Sequence, residues 1–135
     1  MAVPKHLYRI LDANFNRSKE GLRVCEDICR YVWDDQALTR GFKDVRHQLT
    51  AAVGDLGLKA LESRDINADV GRSTSLSESK RKDLSAVFAA NAQRVKESLR
   101  VLEEIAKLKD AGTSKRVKLL RYKVYALEQK ALKSR

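Results

Sequence analysis

Ala13-Asn14-Phe15-Asn16-Arg17-Ser18-Lys19-Glu20-Gly21-Leu22-Arg23-Val24-Cys25-Glu26 returns 77 positions later as Ala90-Asn91-Ala92-Gln93-Arg94-Val95-Lys96-Glu97-Ser98-Leu99-Arg100-Val101-Leu102-Glu103. Apolar residues in both copies recur at helical spacing, so each is one amphipathic helix. A duplicated scaffold would keep its apolar positions and let the polar ones drift. Here Asn14/Asn91, Arg17/Arg94, Lys19/Lys96, Glu20/Glu97, Arg23/Arg100 and Glu26/Glu103 are kept. The repetition therefore asks for particular polar groups twice.

Working outward, the chain has a single proline, Pro4, and six glycines, which favours a few long helices. Helix 1 is expected from about Leu7 to Trp33, and helix 2 from an Asp34 N-cap to Gly54 or Gly57. Helix 3 is expected from Leu84 to Lys109, with Gly112 as its stop. Helix 4 follows a Thr113 or Ser114 cap. The fold class expected is all-α: a four-helix bundle of two antiparallel hairpins, residues about 5–61 and 81–133, related by a pseudo-twofold axis. A loop of about 62–80 joins them, and connections this long in a helical domain tend to be functional.

At 135 residues, 43% hydrophobic and 34% charged, the chain is sized for one domain with one core. It carries no apolar run long enough for a bilayer and no secretory h-region, so a cytoplasmic location is expected. Cys25 and Cys29 share one helical face, and their repeat mates are Leu102 and Ala106, which argues for core thiols. The net charge of +10 is spread along the chain with acids interleaved. No stacking platform or nucleic-acid motif accompanies it, so an anionic small ligand fits better than a polymer.

On a helical wheel Asn14 and Asn91 fall at the centres of their apolar faces. Buried amides need partners. Either the two bind each other and fix register, or they line a polar ligand cavity. Arg17 and Arg94 flank them, and Arg46 and Arg121 hold similar flanking places on helices 2 and 4. Guanidinium suits phosphate through paired planar donors and a permanent charge. Glu20/Glu97, Arg23/Arg100 and Glu26/Glu103 are expected to face outward as ladders, with a homodimer face as the weaker reading. The loop adds Arg64, Asp65, Asp69, Gly71 and Arg72, carboxylates and cations that suit phosphate or Mg²⁺, or simply turns. No Walker sequence, Gly-x-Gly, Ser/His/Asp pattern or histidine centre is present.

Arg9-Ile-Leu-Asp-Ala-Asn14, Arg17-x-x-Glu-Gly-Leu-Arg-Val-x-Glu-Asp27, Asp69-Val-Gly71 and Asn91-x-x-Arg94-x-x-Glu-x-Leu-Arg-x-x-Glu-Glu104 together resemble the small helical hydroxymethylpyrimidine-monophosphate kinases of bacterial thiamin biosynthesis. That family occurs alone or fused to thiamin-phosphate synthase. The resemblance covers nearly the whole chain and implies ATP-dependent phosphorylation of a pyrimidine monophosphate, with Mg²⁺. Together with the wheel and loop readings, the expected roles are catalysis for Arg17, Arg94 and Asp69, substrate binding for Asn14, Asn91, Arg46 and Arg121, and a phosphate-facing loop for Arg64, Asp65, Gly71 and Arg72. The metal ligands stay unassigned. Thiamin-phosphate synthase is the implied functional partner. The rival readings are a non-catalytic partner or sensor domain for that synthase, and a basic nucleic-acid-binding module.

Overall fold

The protein is described by a computed structural model covering residues 5–74 and 80–135, with Asp55 described by its backbone alone. Pro4 and part of the expected loop lie outside the described residues. Five helices and no strand occur among them: α1 (Lys5–Tyr31), α2 (Gln36–Val53), α3 (Asp55–Glu62), α4 (Leu84–Ala106) and α5 (Ala111–Lys133). The expectation of four helices is corrected by α3. Gly54 takes φ 51°, a left-handed value that ends α2, and the chain resumes helically at once.

Two caps also differ from expectation. Asp35, one residue later than expected, caps α2 by accepting from the Leu38 amide at 2.9 Å. Asp34 instead makes the turn, at φ 49°, a conformation that Asp tolerates better than most residues. Asp110 caps α5 by accepting from Gly112 at 2.9 Å. Gly112 therefore lies inside α5 rather than stopping the preceding helix.

Helix α1 packs on α2, α3 and α4, while α5 packs on α4 and α2. Each contact follows an apolar stripe, with Leu22, Cys25, Phe42, Phe88, Leu99 and Val124 fully enclosed. Phe88 anchors the centre. Its ring meets Phe42 edge-on at 5.6 Å and Trp33 at 5.1 Å.

The α1–α4 crossing displays the repeat directly. A Cβ on Gly21 would lie 2.7 Å from Val95 Cγ2 and 3.2 Å from the Asn91 carbonyl oxygen, so only glycine fits there. Under the 77-position shift Gly21 becomes Ser98, and Val95 is the mate of Ser18. Those two serines bond hydroxyl to hydroxyl at 2.6 Å in the buried interface. The two contacts exchange as a twofold axis between the helices requires. Both free cysteines are buried, in keeping with core thiols. Burial raises the Cys25 thiol, and Cys29 adds to it; burial with nearby Asp35 pushes Cys29 up to about 11.

Candidate functional site

A cleft of about 680 Å³ lies between one face of α1 and the chain that leaves α3. From α1 it receives a stripe at helical spacing: His6, Arg9, Ala13, Asn16, Arg17 and Glu20, with Asn14 and Asp12 deeper. The opposite wall is Arg64, Asp65, Ile66 and Asp69.

The two walls are joined by one charged contact. Arg64 donates to Asp12 through Nε at 2.8 Å and Nη2 at 2.9 Å, a bidentate fork. Asp12 is buried, and Asn16 Nδ2 donates to its Oδ1 at 3.2 Å. The hydrogen bond to Asp12 raises the Arg64 pKa, and Glu20 contributes. Arg64 is therefore occupied in holding the loop, rather than free to take an anion.

Asn14 is buried as expected, yet it neither meets Asn91 nor waits unpartnered. Its Nδ2 donates to the Ile10 carbonyl at 2.9 Å, and its Oδ1 accepts from Arg17 Nη1 at 3.3 Å. Asn91 repeats the first contact, donating to the Val87 carbonyl at 2.9 Å. Each amide nitrogen is satisfied within its own helix, and Asn91, expected at the centre of an apolar face, is only half-buried, so no single asparagine-centred cavity forms. Arg17 and Arg9 project into the cleft, and neither has a carboxylate partner among the described residues.

The other expected arginines are elsewhere. Arg46 Nε donates to Glu26 at 3.0 Å, and Arg121 Nε donates to Glu103 at 2.8 Å. Glu26 and Glu103 are buried, which corrects the expectation that they face outward. They lie where α1 meets α2 and where α4 meets α5, so each repeat bonds its own hairpin with one ion pair. Arg121 also borders a smaller cleft with Gln93, Lys96, Glu97, Arg100 and Tyr125. Arg94 is exposed on α4 and lines none of the clefts described. Of the expected ladders one rung forms among the described residues, Arg100 to Glu103 at 3.5 Å, and Arg23 and Arg100 pair instead with Asp27 at 3.6 Å and Glu104 at 3.2 Å, outside the ladders.

In the loop, Asp65 Oδ1 accepts from the Ala68 amide at 3.1 Å and Asp69 Oδ1 from the Gly71 amide at 2.9 Å. These are side-chain-closed turns. Arg72 donates to the Ile66 carbonyl and to Asn67, both at 3.4 Å, and with Gly71 stays off the cleft. Gly71 does not use a left-handed φ. Among the described residues no three His, Cys, Asp or Glu side chains gather for a metal ion. Asp12 is committed to Arg64, and Asp65 and Asp69 each spend one oxygen on closing a turn, so these carboxylates do not converge as a divalent-cation cage.

Of the expected site residues the structure gathers Asn14, Arg17, Arg64, Asp65 and Asp69, and separates Asn91, Arg94, Arg46, Arg121, Gly71 and Arg72 from them. His6, Arg9, Asp12 and Asn16 were missed. Their signal was the polar stripe spaced three or four apart along α1.

Residues 9–130 match the model of the ThiD2 family. The chain belongs to the ThiD2 family. That family is linked to thiamine biosynthesis. Similar curated proteins are the thiamine-phosphate synthases of Synechocystis sp., 44% identical over 99% of this chain and 38% of that protein, and of Thermosynechococcus vestitus, 45% identical over 93% and 35%. The thiamine-phosphate synthase of Rhodopirellula baltica is 39% identical over 93% of this chain and 34% of its own length. The ThiD2 chain thus spans little more than a third of these relatives. No solved structure matches it. The relatives correct the expectation of a phosphotransferase: the activity in their name is that of a synthase, not a kinase. Among the described residues no helix is long and apolar enough to cross a membrane.

Proposed function

We propose that this ThiD2 chain is a non-catalytic helical partner of thiamine-phosphate synthase that binds a phosphorylated pyrimidine in the α1 cleft. The observation that carries the reading is the pair Arg9 and Arg17. Both stand in a cleft without a carboxylate partner among the described residues, while Arg46, Arg64 and Arg121 are each taken up by an internal acid. Permanent cations at a concave surface, backed by the amides of Asn14 and Asn16, are suited to a phosphate ester. The free oxygens of Asp65 and Asp69 can accept from an exocyclic amine on the ring. The relatives support the association, since there the same helical domain belongs to a longer chain named as the synthase.

The test is calorimetric titration of 4-amino-5-hydroxymethyl-2-methylpyrimidine phosphate and of its unphosphorylated alcohol into the protein. Saturable binding of the phosphate ester, at least about tenfold tighter than the alcohol, is expected if guanidinium contacts to phosphate dominate. Equal affinity for both would remove the arginines from the explanation. A thiamine-phosphate synthase assay with and without the ThiD2 chain then tests the partnership, with an altered KM for the pyrimidine substrate as the expected sign.

A further inference from the structure

The duplication predicts two equivalent ligand sites, but the cleft described on the second repeat, bordered by Gln93, Glu97, Arg100 and Arg121, takes in neither Asn91 nor Arg94. The difference can be read position by position under the 77-position shift. Asn14, Arg17 and Glu20 have like mates in Asn91, Arg94 and Glu97. Arg9 and Asp12 do not, because their mates are Ala86 and Ala89, and Asn16 keeps its carboxamide as Gln93. The two groups lost are a free cation of the cleft and the buried carboxylate, while the retained amide of Gln93 donates to Glu97 at 3.2 Å.

That loss has a structural counterpart. Helix α3 packs on α1 and α2 but makes no packing contact with α4. The chain that leaves α3 is fastened to α1 by the Arg64–Asp12 fork, the one side-chain hydrogen-bonded link between residues 63–74 and α1 among those described. A buried carboxylate demands a cation, so Asp12 recruits Arg64 and holds the segment that bears Asp65 and Asp69. Ala89 offers no carboxylate, and among the described residues no ion pair corresponding to Asp12–Arg64 forms at that place on α4.

We infer that the chain carries one phosphate-ester site rather than two, confined to the first repeat, with Asp12–Arg64 as the positioning pair that creates it. This rests on the ligand reading of the cleft given above. Arg17 then binds ligand while Arg94, its mate in the repeat, does not. Arg9 supplies a second cation about 12 Å along the helix from Arg17, at 1.5 Å of rise per residue, so the site spans a ligand longer than inorganic phosphate.

Two measurements on the full chain test this. In calorimetry with the pyrimidine phosphate as probe, one site per chain is expected. Arg17→Ala should weaken it by about tenfold or more, and Arg94→Ala by less than about twofold. Two sites per chain, or equal losses from both variants, would overturn the inference. In hydrogen exchange without ligand, Asp12→Asn should speed exchange of the Ala68 and Gly71 amides about tenfold while the α4–α5 amides stay protected. Arg64→Gln should do the same, and Arg64→Lys should restore part of the protection because a single charge replaces the fork. Unchanged exchange in these variants would remove the pair from its positioning role. Absence of any probe binding by the unaltered chain would overturn the ligand reading, and with it the single site, whatever the exchange result.

Discussion

Arg121 and Glu103 form the most enclosed ion pair among the described residues, Nε to Oε2 at 2.8 Å with side chains 10% and 4% exposed. Its repeat counterpart, Arg46 with Glu26, is 3.0 Å long and 17% and 3% exposed. Glu103 also holds the Arg121 guanidinium above its ordinary pKa. A buried charge that loses its partner keeps its desolvation cost and loses its compensation. Glu103→Gln should therefore destabilise by about 3 kcal/mol. Glu26→Gln should cost about 1–2 kcal/mol, since water reaches Arg46 more readily. Urea denaturation midpoints check both, and equal losses would contradict the burial argument.

At the α1–α4 crossing, Gly21→Ala adds a methyl group 2.7 Å from Val95 Cγ2. Alanine gains roughly 1 kcal/mol over glycine in a helix interior. Overpacking costs about 1–3 kcal/mol, and the Asn91 carbonyl, a backbone atom, cannot swing away. Net destabilisation is expected. In a Val95→Ala background the same methyl fills a void, so Gly21→Ala should there become stabilising. The reversal of sign between two thermal melts is the measurement.

The buried thiols give stability an alkaline limit. Cys25 and Cys29 are both raised above the ordinary value of 9.0 by burial, Cys29 to about 11. The folded chain keeps the protons that the unfolded chain releases. Their contribution is fully present below pH 9 and is lost as pH rises through the folded values, by about 1.4 kcal/mol per pH unit for each shifted thiol. The stability of the native chain minus that of Cys25→Ala/Cys29→Ala should fall with this slope above pH 9. A flat difference would show that the thiols ionise without cost.

Acid acts at the other end of the scale, on the α5 cap. Asp110 is held below its ordinary 3.8 by the Thr113 hydroxyl and the Gly112 amide. A lowered carboxylate stabilises above its unfolded value, and that contribution is lost as pH falls through the folded one. The Gly112 and Thr113 amide resonances should shift below pH 3.8 while those of Leu99 stay fixed. Asp110→Asn should remove that transition.

The repeat, the helical class and the burial of Asn14 could be read from one sequence because helical period and burial of apolar faces are local properties. Glu26 and Glu103 were misplaced for a physical reason. Each of α1 and α4 is flanked by more than one helix, so the buried arc is wider than a single apolar stripe. A residue outside the stripe then finds an arginine on the neighbour. Helix α3 was missed because Gly54 and Gly57 read as terminators, yet Gly54 turns the chain straight into another helix. Arg9 and Asp12 sat in view, in a stripe of good spacing. Their meaning depended on Arg64, 52 residues from Asp12, and no periodicity reports such a meeting.

The paired contacts at the α1–α4 crossing bear on the history of the chain. Glycine faces valine at one end and serine faces serine at the other. Two copies of the first repeat would set glycine against serine at both ends and leave two voids. Two copies of the second would set serine against valine twice and collide. Neither half reproduces these two contacts by pairing with itself. Whatever self-associating ancestor the duplication began from, its descendants have become lock and key within a single chain, and reversing that would require changes in both halves at once.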